Sequence, residues 1–472
     1  MKKILLTGAN GYIGKRLLIE LVNKGYFVFC CVRDPNRFQV AKEFLPKIQI
    51  IQVDFSEPIP DQVIPADISA AYYLIHSMSS STKFDELEER CAANFKQALE
   101  QTQAEQVIYL SGISNDKNLS KHLASRKNVE QVLASNHYAL TTLRAGIIIG
   151  SGSASFEIIR DLVEKLPIMI APQWLRTRSQ PIAVRDVLSF LTDTLYFKKA
   201  YNRNFDIGGP DKITYKEMLL GFAAVRKLKR YIGIFPVMTP KLSSYWLYFV
   251  TSTSFKLATA LVSSMKIEVV CRDNELADLL GIKTIPYQRA IELAFVRIKQ
   301  NQILSSWKDS LVSGRFKQNI STYIKVPEYG CFKDTRRISI EDADATLDRI
   351  WKIGGETGWY HANFLWKIRG LMDKFQGGVG LRRGRSHPTE ISAGDAIDFW
   401  RVLFASKSEK RLLLYAEMKV PGDAWLEFKI KDGYLVQTAT FRPLGAYGRL
   451  YWYAVSILHE YVFRGMVRKI SV

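Results

Sequence analysis

The chain has little of what marks disulfide-bonded or metal-binding proteins. Its 472 residues include five cysteines and six histidines. The cysteines are scattered and odd in number, and neither they nor the histidines show a C-x-x-C pair or another spacing typical of metal ligands. This pattern argues against a disulfide framework and favours a reducing, cytoplasmic compartment. We therefore expect no metal site.

Long hydrophobic runs are also lacking. The apolar residues behind Met1, Lys2 and Lys3 are too few for the core of a signal peptide, so no secretory leader is expected. The uncharged stretch 242–255 is shorter than the roughly 20 residues that a membrane-spanning helix needs, and it is rich in serine and threonine. The sequence therefore predicts no transmembrane helix.

Negative charge is scarce relative to positive charge. Lysine and arginine total 66 and aspartate and glutamate total 46, which gives a formal net charge of +20. No helix-turn-helix, zinc-finger or RNP signature accompanies the basic residues, so a nucleic-acid partner is not expected. The charge instead suits solubility, or peripheral contact with an anionic membrane at its inner face.

One basic cluster bears on that membrane contact. The run R-K-L-K-R at 226–230 precedes the aromatic stretch 242–255, a combination that suits an interfacial helix at the level of lipid headgroups. The alternative is a buried helix in a lid over a substrate site. We favour the lid and assign it to residues 225–270.

The strongest positive signal lies at the start of the chain. A short apolar strand leads into T-G-A-N-G-Y-I-G, which places glycines at Gly8, Gly11 and Gly14 ahead of an amphipathic stretch. This layout of strand, turn and helix binds a dinucleotide pyrophosphate, because glycine lets the backbone approach the phosphates and the helix offers free N–H groups. The alternative is an ordinary tight turn between strand and helix.

The end of the second strand bears on which dinucleotide is bound. The predicted strand at 27–32 runs into Arg33 and Asp34, with Arg37 shortly after. An arginine here suits a 2′-phosphate, whereas a carboxylate would accept hydrogen bonds from a ribose 2′-hydroxyl. The arginines therefore favour NADP(H), while Asp34 keeps NAD(H) possible. The alternative for Arg33 is a solvated loop residue.

Further strands complete an α/β pattern. Residues 48–53, 71–75 and 107–110 are predicted as strands that alternate with helical stretches. Such alternation is typical of the Rossmann fold, a doubly wound parallel sheet whose ligands bind at the carboxyl ends of the strands. We expect the cofactor at that edge.

The second part of the chain is predicted as an α+β domain with an antiparallel sheet. Its predicted elements are, in order, a strand at 321–326, a helix at 340–351, strands at 396–404, 411–419, 424–431 and 434–442, and a closing helix at 447–469. Short turns between the last four strands indicate an antiparallel meander. We therefore divide the chain into a Rossmann domain at 1–300, a linker at 301–320 and a second domain at 321–472.

The N-terminal motifs resemble those of extended and atypical short-chain dehydrogenase/reductases, the NmrA-like group in particular. The matching stretches, within residues 1–300, are T-G-A-N-G-Y-I-G, V-R-D-P, V-D-F, Y-Y-L-I-H-S-M, Y-L-S-G-I-S, L-R-A-G-I-I-I-G, Q-P-I-A-V-R-D-V and F-D-I-G-G-P. The resemblance implies a cofactor site with three parts. These are Gly8, Asn10, Gly11, Tyr12, Ile13 and Gly14 at the pyrophosphate, Asp54 and Phe55 at the adenine, and Leu74, His76, Ser77, Ser111, Ala145 and Gly146 along the adenosine and nicotinamide ends.

One departure from that group concerns catalysis. Members with ordinary reductase chemistry use a tyrosine and a lysine four residues later, and the lysine lowers the pKa of the tyrosine. The corresponding segment, K-H-L-A-S-R-K-N-V-E, places His122 and Arg126 at these positions, with Ser114 near the usual serine. By this resemblance His122 would act as general acid and Arg126 would bind the nicotinamide ribose. The alternative is a surface histidine in a protein that binds nucleotide without fast chemistry.

The C-terminal part resembles the START/polyketide-cyclase-like helix-grip fold and, more closely, an uncharacterised domain found fused behind NmrA-like modules. Motifs such as E-M-K-V-P-G-D-A-W-L-E-F and F-R-P-L-G-A-Y-G-R-L-Y-W-Y carry the resemblance over residues 320–472. Helix-grip folds commonly hold an apolar ligand. Trp400, Trp425, Tyr451 and Trp452 would then line a pocket for a small lipophilic molecule, although aromatic residues here are also typical of plain core.

Two functions are compatible with these features. The first is an NADP(H)-dependent oxidoreductase acting on a lipophilic carbonyl, quinone or isoprenoid-like substrate, which the aromatic lid-like segment favours. The second is a non-catalytic redox sensor or assembly factor that depends on bound NADP(H), which the missing Tyr-x-x-x-Lys pair favours.

Overall fold

The computed structural model describes residues 1–35, 38, 40, 42–76, 84–114, 121–235, 262, 264–299, 326, 331–376, 380, 390–391 and 393–472. The chain folds into two compact units, Met1–Trp307 and Lys308–Val472. Most of the predicted lid at 225–270 and the predicted strand at 321–326 lie outside the described residues.

The first unit is built around a parallel sheet. Its strands are β1 (Lys3–Leu6), β2 (Phe27–Val32), β3 (Ile48–Gln52), β4 (Ala70–Tyr73), β5 (Gln106–Gly112), β6 (Ala139–Ala145), β7 (Ile148–Ile149), β8 (Ile168–Pro172), β9 (Arg178–Ser179), β10 (Ile182–Ala183), β11 (Arg203–Ile207), β12 (Ile213–Thr214) and β13 (Tyr231–Phe235). Seven of them form one sheet in the order β11-β6-β5-β4-β1-β2-β3, with every neighbouring pair parallel. This confirms the predicted doubly wound sheet.

Helices cover both faces of this sheet and build a smaller subdomain of the same unit. They are α1 (Tyr12–Asn23), α2 (Phe84–Leu99), α3 (Lys121–Leu133), α4 (Ala154–Lys165), α5 (Val184–Asp193), α6 (Tyr215–Val225), α7 (Glu275–Leu280) and α8 (Tyr287–Lys299). Alternate residues of β1 point to opposite faces, so that Ile4 and Leu6 join the core under α1 and α5 while Leu5 joins the core under α2 and α3. Burial on both faces explains why these strands read as continuous apolar runs.

A smaller subdomain follows the large sheet. Here α4, α6 and α8 surround a third core, in which the rings of Phe156, Phe222 and Phe295 lie 5.5–5.6 Å apart. The helix α6 begins with a reciprocal capping box, because Thr214 accepts from the Glu217 amide and Glu217 accepts from the Thr214 amide. Strand β13, which belongs to the predicted lid, pairs in parallel with β8 at this subdomain.

The second unit is a six-stranded antiparallel sheet with helices. Its elements are β14 (Phe332–Ser339), α9 (Ala343–Trp351), α10 (Asn363–Phe375), β15 (Ala396–Ile397), β16 (Trp400–Ser406), β17 (Arg411–Ala416), β18 (Gly422–Lys431), β19 (Tyr434–Pro443) and α11 (Gly445–Ser471). The strand order is β14-β19-β18-β17-β16-β15. The predicted antiparallel sheet and closing helix are therefore confirmed.

Four details of the second unit differ from the sequence prediction. Strand β14 and helix α10 were not predicted. The predicted strand at 396–404 is interrupted, because Asp398 adopts a positive φ of +50° and its carboxylate accepts a hydrogen bond from the Trp359 indole at 2.7 Å. The helix predicted from residue 340 begins at Ala343, where the Asp342 carboxylate accepts from the amides of the first turn.

No helix within the described ranges combines the length and apolar composition that a bilayer span requires. Peripheral contact of the basic chain with an anionic membrane stays a prediction.

Candidate dinucleotide site

Each of the three glycines of the first turn has a different structural role. Gly8 has a φ of +62°, and a Cβ there would lie 2.7 Å from the Leu74 carbonyl oxygen. A Cβ on Gly14 would overlap the carbonyl oxygen of Gly8, so only glycine lets α1 pack this closely on the turn. Gly11 between them is exposed and immediately precedes the helix. These are the three roles that a pyrophosphate-binding turn requires of its glycines.

The start of α1 suits an anion. Gly11 is the N-cap, and no side chain among the described residues caps this helix. The first N–H groups of a helix have no partner within it, and the helix dipole places partial positive charge there. The backbone of Tyr12 and Ile13 at this end can therefore hold a phosphate, and the glycine cradle fits a dinucleotide.

Strand β4 is tied to this turn by Thr7. The Thr7 hydroxyl donates to the Tyr72 carbonyl oxygen at 3.0 Å and accepts from the Leu74 amide at 2.9 Å. Both bonds are buried or partly buried, so the end of β4 is held beside the Gly-rich turn. Leu74 thus forms the wall that Gly8 lies against.

Most of the predicted cofactor residues gather at the carboxyl edge of the sheet. Seven of them lie within three residues of the carboxyl ends of neighbouring strands, namely Arg33, Asp54, Leu74, His76, Ser111, Ala145 and Gly146. Ser114 follows β5 by two residues. Arg37 and Ser77 lie outside the described residues, and so does the side chain of His122, whose backbone stands in the first turn of α3.

Arg33 and Asp34 differ in exposure at the end of β2. The Arg33 side chain is exposed, whereas Asp34 is only 5 % exposed. The Arg33 carbonyl oxygen accepts a hydrogen bond from the side-chain amide of Gln52 at 3.5 Å. Of the two side chains, the arginine is therefore the one presented to solvent at this edge.

The two residues predicted to contact the adenine, Asp54 and Phe55, differ in burial. Asp54 is partly buried, and its carboxylate accepts a hydrogen bond from the Ser56 amide at 3.0 Å. Phe55 is 5 % exposed and packs into the core, with its ring centroid 5.7 Å from that of Phe95. Its carbonyl oxygen accepts from Asn94 at 2.9 Å. Phe55 therefore anchors the loop, and its ring lies mostly within the core.

A polar network that the sequence did not reveal lies beyond β4. Nδ1 of His76 is 2.8 Å from Glu88 Oε1, and the Ser125 hydroxyl donates to Glu88 Oε2 at 2.5 Å. Nε2 of His76 is 2.9 Å from Nη2 of Arg126. Glu88 is only 3 % exposed, so a carboxylate on α2 holds an imidazole that in turn holds a guanidinium on α3.

The partners of His76 indicate which of its two ring nitrogens carries the proton. Burial lowers the pKa of His76, and the neighbouring Arg126 cation lowers it further, against the raising influence of Glu88. A neutral imidazole has one donor and one acceptor. Since a guanidinium can only donate, Nε2 accepts from Arg126 and Nδ1 donates to the Glu88 carboxylate. His76 therefore positions the Arg126 guanidinium.

Arg126 is brought to the end of β5. A Cβ added to Gly112 would lie 2.7 Å from Nη1 of Arg126, so the guanidinium passes directly over this glycine. The Tyr109 hydroxyl donates to the Arg126 carbonyl oxygen at 3.3 Å, and burial raises the pKa of Tyr109 to about 12, which keeps it protonated. A supported cation thus stands at the strand edge that the glycine turn also occupies.

Sequence reasoning missed Glu88 and Ser125, although a signal for Glu88 was present. Glu88, Cys91, Ala92 and Phe95 follow the spacing of one helix face, and all four are buried on α2. An acid at an apolar position of an amphipathic helix needs a buried partner. The partners of Glu88 are His76, 12 residues earlier in the chain, and Ser125, 37 residues later. No local sequence motif connects residues so far apart.

Comparison with known families agrees with this geometry. Residues 8–152 match a family model described as NAD(P)H-binding, and residues 330–466 match one described as a protein of unknown function, DUF2867. The predicted NAD(P)-binding Rossmann domain with a separate C-terminal domain is confirmed, and so is an NAD(P)H cofactor. The preference for NADP(H) over NAD(H) stays a prediction.

Two curated relatives are similar to the chain. One is divinyl chlorophyllide a 8-vinyl-reductase, chloroplastic, of Zea mays, at 22 % identity over 44 % of this chain and 55 % of that protein. Another is photosystem II assembly factor Ycf39 of Trieres chinensis, at 23 % identity over 44 % of this chain and 63 % of that protein. The chain thus spans less than two thirds of the length of either relative.

Among solved structures, a nucleoside-diphosphate-sugar epimerase from Staphylococcus aureus superposes with a TM-score of 0.50. It is 14 % identical and covers 62 % of this chain and 100 % of its own. At that identity the likeness concerns the fold alone.

Proposed function

We propose that this chain, whose first unit is an NAD(P)-binding Rossmann domain, is an NADP(H)-dependent oxidoreductase for a lipophilic carbonyl, quinone or isoprenoid-like substrate. The observation that carries the proposal is the shared edge of the sheet, where the glycine cradle and the supported Arg126 guanidinium both lie. The bound cofactor would supply hydride there.

The residues of the chain have separate proposed roles in binding the cofactor and in transferring a proton. The backbone at Gly11 to Ile13 binds the pyrophosphate, and the exposed Arg33 pairs with the 2′-phosphate. Arg126 binds the ribose at the nicotinamide end, and His76 keeps its guanidinium in place. His122, in the first turn of the same helix, is the proposed general acid. Ser114 assists near the reacting carbonyl.

The relatives support two candidate functions. The Zea mays relative is named a reductase, which supports reduction by this chain. The Trieres chinensis relative is named an assembly factor, which supports a non-catalytic protein that responds to bound NADP(H). The absence of a Tyr-x-x-x-Lys pair at the start of α3 favours the second candidate.

The variant Arg126→Met separates the two candidates. NADPH binding is followed by the fluorescence of the cofactor, and NADPH oxidation by its absorbance in the presence of menadione, a lipophilic quinone. An oxidoreductase should lose oxidation in Arg126→Met, while the exposed neighbour on the same helix, Lys127→Met, should retain it. Tight NADPH binding without oxidation in the unaltered protein, across a panel of quinones and aldehydes, would establish the second candidate.

A further inference from the structure

Helix α10 of the second unit carries an apolar face on its outer side. A helix on the surface of a globular protein normally turns polar side chains outward. On α10 the outer side chains are instead large and apolar, and they are half exposed or more, from 50 % for Ile368 to 71 % for Phe375. They are Phe364, Ile368, Leu371, Met372 and Phe375. Helix α9 of the same unit shows the usual pattern, because it buries Leu347, Ile350 and Trp351.

Helix α11 extends this apolar surface. Four of its side chains are more than half exposed, namely Tyr447, Leu450, Leu458 and Tyr461. One groove is lined from both helices, by Ile368 and Met372 on α10 and by Tyr447 and Leu458 on α11. The nine side chains therefore form one continuous surface, which we call the α10–α11 face. Apolar surface of this extent marks an interaction site.

The charges of α10 around this face are positive. Lys367 and Lys374 lie two turns apart, along one edge of the apolar stripe. The groove is lined by the cations Arg369 and Lys419 and by no acidic side chain. Asp373 is the one acidic residue of α10, and it is buried, where its carboxylate accepts hydrogen bonds from two backbone amides.

Helix α11 carries little negative charge of its own. Residues 445–459 contain no acidic residue, and Arg449 among them is exposed. Glu460 is the one acidic residue of the helix, and it pairs with Arg336 of β14 at 2.7 Å and with Arg464 at 3.8 Å. The α10–α11 face thus combines apolar side chains with an excess of cations, which makes it complementary to a surface that is apolar inside and anionic outside.

We infer that the α10–α11 face docks the chain on an anionic lipid membrane. An interfacial helix buries its apolar side among the headgroups while neighbouring basic side chains attract anionic lipid. Exposed tyrosines such as Tyr447 and Tyr461 suit the level of the headgroups. A second copy of the chain fits this face less well, because a twofold interface sets a patch against itself and would bring the same cations together. The docking does not depend on the proposed reductase.

Vesicle binding by the full chain tests the inference. The protein is mixed with vesicles of phosphatidylglycerol and phosphatidylcholine in equal parts, or of phosphatidylcholine alone, and the bound fraction is measured by sedimentation. At low salt the anionic vesicles should bind about tenfold more tightly than the neutral ones, and this preference should shrink at high salt, which screens the cations. Equal binding to both kinds of vesicle, or binding to neither, would overturn the inference.

Matched variants locate the docking. Phe375→Ser and Lys367→Glu change exposed residues of the α10–α11 face. Phe235→Ser and Lys229→Glu make the same changes at exposed positions within 226–255, where the sequence suggested a membrane contact. Each of the first two should weaken binding to anionic vesicles about tenfold, and each of the last two by less than about twofold. Thermal unfolding confirms that the variants fold. A larger loss in the second pair than in the first would refute the assignment to α10 and α11.

The oligomeric state separates a lipid surface from a second copy of the chain. Phe375→Ser should leave the molar mass, measured by light scattering after size-exclusion chromatography, unchanged. A dimer that this variant converts to a monomer, with no vesicle binding by the unaltered protein, would assign the α10–α11 face to a second copy and overturn the inference.

Discussion

The hydrogen-bond network that supports Arg126 leads to a prediction for Glu88, which acts on Arg126 through His76. Glu88 is 3 % exposed and accepts hydrogen bonds from His76 at 2.8 Å and from Ser125 at 2.5 Å. In Glu88→Gln the side chain keeps its shape and loses its charge. Hydrogen bonds to a charged group contribute about 1.5–3 kcal/mol each, and the amide retains part of both. We expect the free energy of unfolding to fall by about 2 kcal/mol.

The same variant should loosen the cofactor end of the site. Without the carboxylate, His76 no longer has a fixed tautomer, and Arg126 loses an acceptor that is reliably oriented. NADPH affinity should fall by about tenfold, which corresponds to about 1.4 kcal/mol. Denaturant unfolding and NADPH fluorescence titration measure the two effects. Glu89→Gln, an exposed neighbour on α2, is the matched control and should change neither.

A double-mutant cycle decides whether the network acts as a unit. If Glu88 acts through His76 on Arg126, then Arg126→Met should weaken NADPH binding less in the Glu88→Gln background than in the unaltered protein. Additive losses, or a Glu88→Gln variant with unchanged cofactor affinity, would refute the positioning role of His76.

Three further predictions concern other parts of the chain. Gly14→Ala should lower stability by more than about 2 kcal/mol and abolish NADPH binding, because the new Cβ meets a backbone oxygen, whereas Gly233→Ala meets nothing within 4 Å and should be nearly neutral by thermal unfolding and titration. Arg33→Asp should weaken NADPH relative to NADH, and equal affinities afterwards would contradict the NADP(H) preference. His459 has a pKa near 4 in the fold against 6.5 unfolded, so protonation favours the unfolded chain. Stability should therefore fall by up to about 3 kcal/mol as the pH drops from 6.5 to 4, and less so in His459→Phe, measured by denaturant unfolding.

Strands buried on both faces were the easiest elements to predict. The predicted strand at 27–32 is observed as Phe27–Val32, since its apolar run has turn residues on either side. The glycine turn was recognisable because its geometry requires glycine at fixed positions. Gly8 has a positive φ, and a Cβ on Gly14 would overlap a backbone oxygen. Local sequence was sufficient wherever local sterics decide the structure.

The features that escaped prediction depend on distant contacts. Strand β14 alternates half-buried and exposed residues along Phe332–Ser339, but six of its eight residues are charged, threonine or serine, so its apolar signal is weak. It is ordered by pairing with β19, about 100 residues later. The break at Asp398 depends on the Trp359 indole, 39 residues away, and the network at Glu88 spans three elements. Such contacts form only when the tertiary fold brings the partners together.

The proposed reduction is tested most directly by a single turnover. The full chain is mixed with less than one equivalent of NADPH, so that all cofactor is bound, and is then mixed rapidly with menadione while absorbance at the reduced nicotinamide band is recorded. The account predicts that bound NADPH is oxidised faster than free NADPH under the same conditions, and that Arg126→Met removes this difference. NADPH that stays reduced on the protein, or that is oxidised no faster than in free solution, would contradict the oxidoreductase and leave the cofactor as a ligand of a non-catalytic protein.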